Sequence, residues 1–173
     1  MNVVIANSQR AKKINSRQLK KIAEALLAEL KIESAELGIN LVAAPEMTLI
    51  NETFLRHEGS TDVITFDYNV GQVSRLSQTP SRKNGDRRDA YPTLHGEIFI
   101  CVDEAIAQAK RFKTAWQLEI VRYLVHGVLH LLGHDDRRAA TRRRMKREEN
   151  RLLRELSRKF SLAQIGGASK LRT

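Results

Sequence analysis

His126, His130 and Asp136 stand in the order His-x3-His-x2-Gly-x2-Asp, inside the stretch Val125-His126-Gly127-Val128-Leu129-His130-Leu131-Leu132-Gly133-His134-Asp135-Asp136. On an α-helix, residues four apart differ by about 40° in azimuth and one turn in height, so both imidazoles face one point. Gly133 suits a left-handed helix end that turns the chain back, and Asp136 can then return toward that point from another direction. Two imidazole nitrogens and one carboxylate oxygen, with room for water, form the donor set of a catalytic zinc site. An i,i+4 histidine pair alone is more often a hydrogen-bonded core feature. The glycine and the acid after it tip the balance toward a metal. One alternative stays open: His134 closes the triad and Asp136 only orients it.

The same spacing occurs on the metal helix of metzincin proteases, which carry Glu directly after the first His as general base. Here that position is Gly127. A peptide hydrolase built on this helix lacks its usual proton acceptor.

Two further blocks lie upstream. Asn51-Glu52-Thr53-Phe54 is followed by Ser60-Thr61-Asp62-Val63-Ile64-Thr65-Phe66, and later comes Gly96-Glu97-Ile98-Phe99-Ile100. With His126-Gly127-Val128-Leu129-His130-Leu131-Leu132-Gly133-His134-Asp135 they resemble, in order over roughly 36 to 136, the YbeY family of bacterial metal-dependent endoribonucleases. The resemblance implies a mixed sheet with metzincin-like metal placement. It also implies cleavage of single-stranded RNA in ribosomal RNA maturation, especially at the 3′ end of the small-subunit RNA, and in ribosome quality control. Two departures stand out. The family usually places a third histidine where this chain has Asp136. It usually places an arginine where this chain has Leu55, with Arg56 one residue later, and whether Arg56 takes over that role is left open.

The composition agrees with a polyanionic partner. The chain has 173 residues, a net charge of +10 and a hydrophobic fraction of 42%, which suits one domain with a modest core. Nucleic acid is the first expectation for such a charge and an anionic membrane surface the second. The single Cys101 excludes an intrachain disulfide and fits a reducing cytoplasm. The opening Met1-Asn2-Val3-Val4-Ile5 reads as a strand and not as a signal peptide. No apolar run approaches the length of a membrane span, so no membrane partner is expected.

The elements that must position the triad follow from periodicity. Strands are expected at 2–6, 36–43, 62–68 and 94–102, and a helix over 17–30 capped by Ser16. Pro45 opens a helix to about 55. Asp103 caps a helix to about 112, and Thr114-Ala115-Trp116-Gln117 is a capping box that opens the metal helix. That helix is apolar nearly all round and should be buried. From Arg137 to Lys159, eleven Lys or Arg stand against three Glu, with Met145, Leu152, Leu153, Leu156 and Phe160 as a packing stripe. The polar stretch 69–93 is expected as a mobile insertion, and 161–173 as a disordered tail. The fold expected is a single α/β (α+β) domain over 1–160, a mixed sheet of about four strands packed with helices.

The sequence therefore points to Zn²⁺ held by His126, His130 and Asp136, with Arg56 and His134 as candidate catalytic groups. Arg137, Arg138, Arg142, Arg143, Arg144, Lys146 and Arg147 are the expected contacts to RNA, because a cationic surface directly after the metal site suits phosphate. The partners expected are single-stranded ribosomal RNA and the ribosomal small subunit. Two other readings remain: a metalloprotease-like peptide hydrolase, and a non-catalytic ribosome-binding protein with a structural metal.

Overall fold

The computed structural model describes residues 1–69 and 93–167. Among these residues, four strands, β1 (Asn2–Asn7), β2 (Ser34–Val42), β3 (Val63–Asp67) and β4 (Thr93–Cys101), form one sheet in the order β1-β2-β4-β3. The first three in that order run parallel, and β3 pairs antiparallel at the edge. The mixed four-stranded sheet expected from the sequence is therefore present.

Register explains which face is buried. Ala35, Leu37, Ile39 and Leu41 of β2 pair with Leu94, Gly96, Ile98 and Ile100 of β4. All the apolar members of these pairs are buried. The alternate residues, among them Glu36, Asn40, His95 and Glu97, are polar. Such alternation gives a sheet one apolar face. Among the described residues, the helices of the main core lie on that face, and over β1, β2 and β4 the other face is a groove in which Val4 is 57% exposed. At the β3 end, the second face is closed by a small cluster of Val42, Met47, Ile64 and Cys101.

Among the described residues, five α-helices follow the expected order: α1 (Ser16–Glu29), α2 (Ala44–Ile50), α3 (Val102–Phe112), α4 (Trp116–Leu131) and α5 (Ala139–Lys159). Their ends differ from the sequence expectation in four ways. Asn15, not Ser16, caps α1, its side chain accepting from the Gln18 N–H at 3.1 Å. Asp103 caps a different helix from its own, because its Oδ2 accepts from the Ala44 N–H of α2 at 2.7 Å. Thr114 does not cap α4; the N-cap is Ala115, and the Thr114 hydroxyl donates instead to Glu119 Oε1 at 2.7 Å. The helix expected to run to 55 leaves the α form at Ile50 and widens into a π-helical turn, Asn51–Leu55. Arg56 ends that turn at φ 57°.

The chain end is also more ordered than expected. Leu162–Gly166 forms a 3-10 turn whose Ile165 is fully buried, and the Asn15 N–H donates to the Ile165 carbonyl at 2.8 Å. Disorder from 161 is therefore corrected as far as Gly167. Residues 168–173 lie outside the described residues, as does most of the expected insertion 69–93.

Helix α4 lies at the centre. Ile120, Val121, Leu124, Val125, Val128 and Leu129 are all fully buried in the main core. It packs tightly on the sheet at Gly127, where a Cβ would stand 2.8 Å from Ile98 Cγ2. Among the described residues, no helix is long and apolar enough to cross a membrane.

Candidate metal centre

The end of α4 is built by a glycine turn. Gly133 takes φ 84°, its N–H donates to the His130 carbonyl at 2.9 Å, and the His134 N–H donates to the Leu129 carbonyl at 3.0 Å. These are the two bonds of a Schellman motif, which satisfies the last carbonyls of the helix and reverses the chain. The reversal returns Asp136 to the helix it has just left.

Three donor atoms converge there. His126 Nε2 and His130 Nε2 are 3.0 Å apart, and Asp136 Oδ2 lies 3.9 Å from the first and 3.8 Å from the second. A triangle with those sides has a circumradius of about 2.1 Å, which is the length of a zinc bond to imidazole nitrogen or carboxylate oxygen. A divalent ion of that kind fits between them without movement of the backbone. His126, His130 and Asp136 are each partly exposed, so a ligand can reach the point from solvent.

Both imidazoles are oriented through their other nitrogen. His130 Nδ1 is 3.0 Å from the His134 carbonyl oxygen, to which it donates. His126 Nδ1 is 3.2 Å from Glu149 Oε2. Each contact places the proton on Nδ1 and leaves Nε2 as a lone-pair donor toward the metal point. Burial, with the neighbouring His126 second, lowers the pKa of His130. That favours the neutral form, which is the one that ligates.

Glu149 was not legible as a site residue in the sequence. Its side chain is almost fully buried, and besides His126 it receives Arg122 Nη1 at 2.8 Å and Lys146 Nζ at 2.7 Å on Oε1. Burial alone would raise its pKa, but the hydrogen bonds from His126, Lys146 and Arg122 outweigh that and hold it down to about 2. A signal did exist: Glu149 follows Met145 by four and precedes Leu152, Leu153 and Leu156 by three, four and seven, so it lies on the inward stripe of α5. An acid on that stripe needs a partner.

The other predicted residues divide. Arg142 donates from Nε to the Asp136 carbonyl at 2.8 Å and from Nη2 to the Arg137 carbonyl at 3.3 Å, so it braces the metal loop. Lys146 serves Glu149. Arg137, Arg138, Arg143, Arg144 and Arg147 are exposed. His134 joins the centre through its backbone, while its imidazole lines a separate groove with Arg144, Arg147 and Glu148. Arg56 is exposed and, among the described residues, has no hydrogen bond or ion pair to the triad. Gly127 faces the sheet and not the metal point.

A two-histidine helix, a glycine turn and a returning carboxylate, set on a mixed sheet, define a single-domain α+β protein organised around a helix that could hold a metal ion. The chain belongs to the YbeY family: the family's sequence model, described as Endoribonuclease YbeY, matches residues 4–157. Endoribonuclease YbeY of Chlorobium phaeovibrioides is 31% identical over 156 residues, covering 90% of this chain and 91% of that protein. The protein of the same name from Geobacter sulfurreducens is 28% identical over 169 residues, covering 96% and 99%. The solution structure of TM1509 from Thermotoga maritima has the same fold, with a TM-score of 0.60 at 20% identity over 99% of each chain.

Proposed function

We propose that this chain is a zinc-dependent endoribonuclease of single-stranded RNA. Its task would be ribosomal RNA processing in the cytoplasm, at the 3′ end of the small-subunit RNA and in ribosome quality control, with the ribosomal small subunit as partner. The observation that carries this reading is the convergence of His126, His130 and Asp136 on one point at the foot of a strongly basic helix, in a chain of this family.

His126, His130 and Asp136 are the residues that would hold the ion. Bound there, zinc would supply Lewis-acid activation of water and of a phosphate oxygen. The chain's own residues do the rest. Glu149 and the His134 carbonyl keep both imidazoles in the ligating tautomer, and Arg142 holds the loop that carries Asp136. Arg137, Arg138, Arg143, Arg144 and Arg147 offer charge to the RNA backbone without a buried partner to serve. Arg56 and His134 are proposed as further contacts to the substrate, outside the ligand set.

The test is metal analysis of purified protein alongside cleavage of an unstructured RNA. Cleavage should vanish with chelator and return on adding Zn²⁺, while casein stays intact. Chelator-insensitive cleavage, or proteolysis without cleavage of RNA, would overturn the proposal.

A further inference from the structure

Beside the metal point lies a cavity of about 580 Å³, framed by the end of α3 and the facing flanks of α4 and α5. Its size falls among those of small-ligand sites, which combine apolar walls with a few convergent polar groups. His126 and Asp136 form part of its lining, so anything seated in it touches the centre. The walls include Phe112, Met145 and the ring of Tyr123; Gln108 and Asn150 add amides.

Two features of that lining have no structural use. The Tyr123 hydroxyl is buried and has no hydrogen-bond partner among the described residues, in a residue only 4% exposed. A buried hydroxyl without a partner is costly, and such groups call for an explanation. Phe112, conversely, is 61% exposed. It holds a flat apolar surface in water, with the Arg111 guanidinium 5.4 Å from its ring centroid. Burial keeps the Tyr123 phenol protonated by raising its pKa, so it can donate as well as accept.

Resting on the ribonuclease reading, we infer that this cavity is a nucleobase subsite. It takes the base of one nucleotide flanking the scissile phosphate, stacked on Phe112 and hydrogen-bonded by the Tyr123 hydroxyl. An aromatic platform beside convergent polar groups is how unstacked bases are held. Lys146 at the same wall uses one of its three donors on Glu149, leaving the others for the adjoining phosphate. The inference accounts for strand selectivity, because a base can enter only when it is free of a duplex.

The test uses the full chain loaded with zinc and a set of short single-stranded RNAs, each with one abasic position moved past the cleavage point. On wild-type protein, one position should raise KM by roughly 5- to 150-fold, the range of one base–aromatic stack, and its neighbours far less. Phe112→Ala should raise KM on intact RNA by a similar factor with kcat changed less, and should erase the abasic effect at that position. Phe112→Trp should restore both. Because Phe112 is exposed, these variants should fold, which a thermal melt checks. If no position is singled out, or if the abasic penalty persists unchanged in Phe112→Ala, the subsite is refuted while cleavage stands. If wild-type protein leaves intact RNA uncut, the ribonuclease reading falls and takes the subsite with it.

Discussion

Replacing Glu149 by Gln keeps the shape of a buried side chain and removes its charge. The carboxylate receives three donors, the His126 imidazole and the charged Arg122 and Lys146. Two consequences follow. Carboxylates that orient a ligating histidine are worth about 10- to 100-fold in metal affinity, so Glu149→Gln should weaken zinc binding by that factor. The second consequence concerns stability. The carboxyl titrates at about 2 in the folded chain against an ordinary 4.5, a difference worth about 3 kcal/mol. A depressed carboxyl stabilises the fold above its unfolded pKa, and the contribution is lost as pH falls through the folded value. The gap between wild-type and Glu149→Gln should therefore be largest at neutral pH and shrink by more than half by about pH 3. Denaturant unfolding of chelator-treated protein at the two pH values measures the gap, and competition with a chromophoric chelator measures the affinity. Equal zinc affinity in the two proteins, or a gap that does not close in acid, would show that Glu149 does not act through His126.

Three further outcomes are expected. Gly127→Ala places a Cβ 2.8 Å from Ile98 Cγ2 and should cost about 1–3 kcal/mol; an unchanged denaturation midpoint would contradict that packing. Asp136→Ala should lose most metal and activity, whereas Asp136→His should keep the metal with a pH–rate profile moved to lower pH, and His134→Ala should keep it too. Loss of metal in His134→Ala with retention in Asp136→Ala would reverse the assignment of the third ligand. Charge reversal of Arg144 and Arg147 together should leave metal content unchanged and flatten the salt dependence of RNA binding by about 0.7 per lost phosphate contact on a log–log scale; an unaltered slope would make this face a solvated surface.

The parts of the centre that could be read from the sequence are those that are local. His126, His130, Gly133 and Asp136 fall within eleven residues, and helix geometry plus one glycine turn is enough to bring them together. The strands were legible for the same reason: the alternation in β2 and β4 is a property of each segment alone. What escaped depends on contacts between distant segments. Asp103 caps α2 because β4 ends beside it, 59 residues away in the chain. Glu149 meets His126 only because α5 folds back along α4. Thr114 and Ser16 had the right residue type for a cap, but a neighbour or a better-placed Glu took the hydrogen bond in each case. That the helices of the main core pack on one face of the sheet agrees with the polar residues that alternate in β2 and β4.

The order in which the chain is made sets when this centre can work. The parallel pairings join β1 to β2 and β2 to β4 across long separations, and such non-local sheets assemble slowly. Helix α4, which carries both histidines, rests on that sheet with Gly127 against Ile98 and Leu131 against Gly96. Yet His126 is oriented by a carboxylate carried on α5, which is made after the strands and after α4. During translation, therefore, the strands and the two histidines are made before their brace. A nascent chain lacking α5 carries both histidines and Asp136 without the Glu149 contact that fixes the tautomer of His126. Full order at His126 therefore waits on α5, the same helix that supplies the cationic surface beside it.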